Sequence, residues 1–306
     1  MAAGAPKQET APARAALTQA KGLAESLPDL LVEAERVANT VLAGWHGRRR
    51  SGPGETFWQF RAFIPGEPSA GIDWRRSARD EHHLYVRERE WEAAHTIWTW
   101  PDLSVSMDFR SRLGNASKRD RALVLLLALT ELLAAAGERV GLLGGGPPIL
   151  ARNAAERIAN SLAHLDAPLT IDRHLLRRFT EVVLFSDFLD PLPLLEEKLS
   201  TIAHAGTRAH LVAIYDPVEE TFPYTGRTEF RDPETGQRHV VGRAESYKAD
   251  YAQKLTAHRA WIADYCRRLD WTFLVHRTDR APTAPLLALH ARLADRGDRI
   301  AGGLAA

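Results

Sequence analysis

Asp102, Ser104 and Ser106 occupy alternate positions in the run Trp98-Thr99-Trp100-Pro101-Asp102-Leu103-Ser104-Val105-Ser106-Met107. In extended backbone alternate side chains point the same way, so one carboxylate and two hydroxyls can converge on a point. All three offer oxygen, which is what Mg2+ and Ca2+ take, and Mn2+ accepts the same donors. A second acid ends a buried-type strand, Glu181-Val182-Val183-Leu184-Phe185-Ser186-Asp187. In a parallel sheet both strand ends fall on the carboxyl edge, where open α/β sheets place their ligands. Asp216 closes a third apolar run, His210 to Tyr215, and there it either joins a metal shell or caps the turn.

The elements that must position these groups alternate strand and helix, which predicts an α/β fold with a parallel sheet. Ile97 to Trp100 reads as the first strand. Ser117-Lys118-Arg119-Asp120 resembles a capping box and opens a helix to Ala136 that is apolar on nearly every side, hence deeply buried. Gly137 suits its C′ position. Arg139 to Leu143 follows as a strand, with a turn at Gly144-Gly145-Gly146 and a return over Ile149 to Ala151. Helices are expected at Ala154 to Leu165, Asp172 to Phe179, and from Pro191 to near Gly206. The stretch of about 219–242 reads as an insert carrying a β-hairpin around Asp232-Pro233-Glu234-Thr235-Gly236. A long helix from Ala244 to Leu269, a strand from Trp271 to Val275 and a helix from Ala284 to Leu293 close the chain.

Upstream, residues 1–26 read as a disordered tail. Leu30, Leu31, Ala34, Val37, Ala38 and Val41 then repeat at helical spacing. Residues 27–95 are grouped as a helix plus an Arg/Trp-rich segment, and 96–300 as the α/β domain. The basic, glycine-rich loop His46 to Gly54 lacks the Lys-Ser/Thr ending of a P-loop and reads as a solvated loop.

Bulk numbers narrow the class. The chain has 306 residues and a formal charge of +1, which argues against a polyanion binder. Its single Cys266 excludes an internal disulfide and suits a reducing compartment. Met1 to Glu25 lacks an apolar signal region, and the longest apolar run, Ala122 to Leu129, is too short to span a bilayer. The expectation is a cytoplasmic protein with no membrane partner. There is no G-x-S-x-G and no H-E-x-x-H, so serine-hydrolase and zinc-hydrolase chemistry lack support.

Six of the eight Trp lie between Trp45 and Trp100, among arginines nearly matched by acids. That balance disfavours a nucleic-acid patch and favours Arg–carboxylate pairs and Arg–aromatic stacking. Asp73, Trp74, Arg75, Ser77, Arg79, Arg87 and Glu88 are the candidates there for partner binding or for a structural ion-pair lattice.

Two resemblances follow. The Asp102–Ser104–Ser106 spacing with Asp187 resembles the metal-ion-dependent adhesion site of von Willebrand factor A domains. That implies a doubly wound, mostly parallel sheet, hydroxyls binding the ion directly, and a Thr from a third loop. Thr170 is the nearest candidate, without the usual Gly-Thr context. Phe-Arg-x-Phe-x-Pro-Gly-Glu-Pro from Phe60, Ile-Asp-Trp-Arg-Arg-Ser-Ala-Arg from Ile72 and Tyr-Val-Arg-Glu from Tyr85 resemble the bacterial family called domain of unknown function 58. The resemblance covers about Gly52 to Thr278 and implies a non-enzymatic accessory or adaptor role with a MoxR-type AAA+ ATPase in protein-complex maturation. Two alternatives stay open. One is a structural protein with a degenerate, metal-free site. The other is a Mg2+-dependent phosphohydrolase, although Ser104 stands where such an enzyme wants its second Asp.

Overall fold

A computed structural model describes residues 11–45, 57–63, 72–80, 83–89, 95–164, 175–176 and 180–303. The chain divides into two compact units, one made of 1–47 with 95–306 and the other of 48–94.

The larger unit is built on five parallel strands: β3 (Thr96–Pro101), β4 (Arg139–Leu142), β5 (Glu181–Ser186), β6 (Arg208–Tyr215) and β9 (Thr272–Arg277). Their order is β4-β3-β5-β6-β9. Successive β5 residues face opposite sides, and both sides are apolar, as a strand covered on two faces requires. Val183 and Phe185 join a core with α1 (Ala11–Trp45), α3 (Lys118–Ala135), α4 (Ala154–Leu162) and α8 (Thr283–Gly303). Val182 and Leu184 join the opposite core with α5 (Leu192–His204) and α7 (Lys248–Arg268). The fold is therefore the expected doubly wound α/β sheet. The chain leaves β3 for β4 on one side and returns to β5 on the other, so the strand order reverses between β3 and β5.

Helix α3 explains its own depth. The Ser117 hydroxyl accepts the Asp120 N–H at 3.0 Å as N-cap, and Gly137 takes the left-handed conformation just past the end at φ 82°. Every residue from Arg121 to Thr130 is buried.

Three differences from expectation concern the chain's course. Helix α1 begins at Ala11, inside the stretch expected to be disordered, where Ala, Leu, Lys and Gln are strong helix formers. Its stripe of Leu27, Leu30, Ala34, Val37, Ala38 and Val41 lies in the α3 core, so α1 belongs to the α/β unit and not with the Arg/Trp-rich segment. Ile149 answers Val140 through a single antiparallel bridge, so the return after the triglycine turn is no full strand. The helix expected at Asp172 to Phe179 falls almost wholly outside the described residues. The insert does carry its hairpin, β7 (Thr228–Arg231) with β8 (Arg238–Val241), after the short α6 (Pro217–Thr221). Phe222, Tyr224, Phe230 and Tyr251 pack their rings together and fasten that hairpin to α7.

In the smaller unit β1 (Phe57–Ala62) pairs antiparallel with β2 (Tyr85–Arg89), and α2 (Trp74–Ser77) lies between them in sequence. No helix of the described residues is long and apolar enough to cross a membrane.

Candidate functional site

The backbone brings the first two strand ends together directly. Pro101 lies opposite Phe185, and the Asp102 N–H donates to the Phe185 carbonyl at 2.8 Å. Asp102 and Asp187 thus flank the point where the strand order reverses, the usual ligand crevice of open α/β sheets.

Asp102 organises its own loop. Oδ1 accepts the Ser104 N–H at 2.9 Å and Oδ2 accepts the Ser186 hydroxyl at 2.6 Å. Ser186 Oγ in turn accepts the Phe188 N–H at 3.1 Å. Burial raises the Asp102 carboxyl above its ordinary pKa, with Asp187 adding to it, while the bonds from Ser186 and Ser104 oppose the shift. The Ser104 and Ser106 hydroxyls lie 3.1 Å apart, brought together by a 3-10 turn over Val105–Asp108 where the sequence suggested extended backbone. The Ser106 N–H donates to Glu234 Oε1 at 2.9 Å, which lays the hairpin turn on this loop.

Asp187 is committed differently. Its Oδ1 accepts the Leu189 N–H at 3.1 Å, and its Oδ2 accepts Lys118 Nζ at 2.7 Å. The same ammonium donates to Glu219 Oε1 at 2.7 Å, and the Lys118 side chain is 2 % exposed. Burial pulls the Lys118 pKa down, but the Asp187 and Glu219 carboxylates outweigh it and leave the pKa raised, so the group is charged. Phe188, next in the chain, holds a left-handed φ of 50°, and its carbonyl lies 2.7 Å from His258 Nε2. A bulky residue in that region marks stored strain, here beside the site.

Asp216 caps α6 and is fully buried. Its Oδ1 accepts the Val218 N–H at 3.0 Å and its Oδ2 the Ser111 N–H at 2.8 Å, while Glu219 Oε2 accepts the Asp216 N–H at 2.7 Å. Of its two expected roles the carboxylate takes the capping one. Asp216→Ala should cost about 1–3 kcal/mol, because the buried Val218 N–H and the part-buried Ser111 N–H lose their acceptor, and denaturant unfolding would read it.

These contacts decide whether the residues fit a divalent ion. The Ser104 and Ser106 hydroxyls meet and Asp102 bonds the Ser104 N–H, but Asp187 already holds a buried ammonium ion and Asp216 caps α6. Thr170 lies outside the described residues. Among the described residues no group of three or more His, Cys, Asp or Glu is placed to hold a metal. The set of Asp102, Ser104, Ser106 and Asp187 therefore does not fit Mg2+, Mn2+ or Ca2+ in the arrangement the spacing suggests.

The Arg/Trp-rich candidates lie in the other unit. Asp73 caps α2, accepting the Arg76 N–H at 2.9 Å, and buried Ser77 donates to the Asp73 carbonyl and accepts the Tyr85 N–H. Arg76, not among the candidates, stacks over Tyr85 at 5.5 Å. Trp74, Arg75 and Arg79 are exposed. Arg87 and Glu88 lie on β2, and their side chains are outside the described residues. Lys118, Glu219, Ser186 and Glu234 were missed by sequence reasoning. One signal was available for Lys118: it stands at the first position of a helix, where the macrodipole disfavours a cation.

A doubly wound parallel α/β sheet with a polar, carboxylate-bearing switch-point edge defines the class. Residues 59–261 match the family described as "Protein of unknown function DUF58", and the chain belongs to that family. It is 28 % identical over 276 residues to the uncharacterized protein Rv1480 of Mycobacterium tuberculosis H37Rv, covering 84 % of this chain and 86 % of that one. The same figures hold for the uncharacterized protein Mb1516 of Mycobacterium bovis. Among solved structures, an aerotolerance-related membrane protein from Bacteroides fragilis aligns with a TM-score of 0.38 at 13 % identity, over 66 % of this chain and 100 % of that one. The conserved hypothetical protein BatB from Bacteroides thetaiotaomicron aligns with a TM-score of 0.36 at 12 % identity, over 67 % of this chain and 99 % of that one.

Proposed function

We propose that this chain is a non-enzymatic protein-interaction module with a von Willebrand A-like domain, and that its partner is a MoxR-type AAA+ ATPase. One observation carries the reading. The loop after β3 presents Val105, Phe109 and Leu113 to solvent at 47 %, 40 % and 54 % exposure, and Leu189 on the loop after β5 is 39 % exposed. Large apolar side chains exposed on the loops at the ligand edge of a sheet suit a docking surface. The polar groups of these loops are bonded to one another, Asp102 to Ser186 and Ser104 to Ser106, which holds the loops in shape for docking. The family resemblance supplies the class of partner.

The test is binding of a purified MoxR-type ATPase from the same organism. Phe109→Asp should weaken it at least about tenfold, the loss of a buried aromatic anchor being worth more than about 1.4 kcal/mol. Phe109 is exposed, so the variant should fold as the wild type does, which circular dichroism would check. Unchanged affinity would remove this edge as the interface.

A further inference from the structure

The misfit between the expected ion site and Lys118 has a positive reading. A divalent ion at a switch-point edge ties strand-end carboxylates together and offsets their charge. In this chain one side chain does the like for the carboxylate at the end of β5 and a second carboxylate in α6. Lys118 Nζ lies 2.7 Å from Asp187 Oδ2, at the end of β5, and 2.7 Å from Glu219 Oε1, in α6 after β6. It projects from the first residue of α3, the helix that follows the Asp102 loop. Three loops of the edge are thereby joined through one atom.

Nothing local would place a cation there. The N-terminus of α3 favours an anion, and burial disfavours any charge. The position is explained only by the two carboxylates that receive it. With Lys118 in place, a divalent ion bound through Asp187 would face a buried ammonium ion at close range, with little water between to screen it. Each Asp102 oxygen already accepts a hydrogen bond, from the Ser186 hydroxyl and from the Ser104 N–H, so the carboxylate is held in place without an ion.

We propose that Lys118 is the resident cation of this edge, doing the cross-linking a divalent ion would otherwise do, and that the edge holds its shape without Mg2+, Mn2+ or Ca2+. This stands apart from the identity of the docking partner, because it is tested on the purified chain alone.

The experiment compares thermal unfolding in EDTA with unfolding in about millimolar Mn2+ or Mg2+, for the wild type, Lys118→Met and Asp102→Ala. The wild type should melt at the same temperature in all conditions and show no saturable Mn2+ binding by calorimetry. Lys118→Met frees Asp187 and Glu219, so it should gain saturable Mn2+ binding and melt several degrees higher with the ion than in EDTA. If Lys118→Met does not fold in EDTA, Mn2+ should restore its circular dichroism spectrum. A wild-type midpoint raised by Mn2+, with the rise lost in Asp102→Ala, would overturn the proposal. So would a Lys118→Met chain that neither binds Mn2+ nor is restored by it, since the two carboxylates would then not constitute a cation site.

Discussion

Lys118→Met is expected to lower the unfolding free energy by about 3–5 kcal/mol in a metal-free buffer. The substitution keeps an unbranched apolar side chain, one atom shorter, and removes the charge. Asp187 Oδ2 and Glu219 Oε1 then stay buried with no donor between them, 8 % and 16 % of their side chains being exposed. The loss is a cost of stranding two acids and does not measure the strength of the native ion triad. Taking two carboxylates and an ammonium ion out of water costs much of what their attraction returns. A triple variant, Lys118→Met with Asp187→Asn and Glu219→Gln, should therefore recover most of the stability that the single variant loses. Urea unfolding of the three proteins reads both numbers. A single variant as stable as the wild type would mean that the edge does not depend on this cross-link.

The second large effect is pH-dependent. His276, on β9, is buried, and burial together with the nearby Arg121 lowers its pKa from 6.5 to about 4, with Asp279 opposing. The unfolded chain thus binds a proton at His276 before the folded chain does. Above pH 6.5 neither state is protonated there and the group contributes nothing to the balance. As pH falls from about 6.5 towards 4, protonation increasingly favours the unfolded state, and the penalty is complete below about 4. A shift of that size corresponds to about 3 kcal/mol. His276→Gln should flatten this part of the stability curve, measured as the difference from the wild type in denaturant unfolding between pH 7 and 4. Equal slopes in the two proteins would mean that His276 titrates normally in the fold.

What could be read from residues alone follows a physical line. Val182 to Phe185 is apolar on both faces and Ile97 to Trp100 is apolar but for Thr99, so a sheet covered on two sides was the reading available, and the parallel order of β3 and β5 places Asp102 and Asp187 on one edge. Ser104 and Ser106 do meet, but for another reason than the strand period: the chain turns into a short 3-10 helix, Val105–Asp108, capped by Ser104. Lys118 shows the limit. A lysine beside a capping serine reads as a solvated helix start, and its burial depends on where β5 and α6 end, which its own neighbours in sequence do not encode. Glu234 is the same case, since it meets Ser106 across 128 positions of chain. Helix α1 shows it for packing: the apolar stripe announced a buried face but not that α3 would cover it.

That pairing has a consequence for synthesis. Helix α1 packs on α3 and on α8, so helices more than 230 residues apart in sequence share one core. The whole 48–94 unit lies between α1 and the first strand of the sheet. On the ribosome, α1 emerges with its leucine and valine stripe uncovered and waits until α3 has been made before it can bury any of it. Such a stripe invites chaperone capture during that interval. The core closes only when α8 has been made and has joined it.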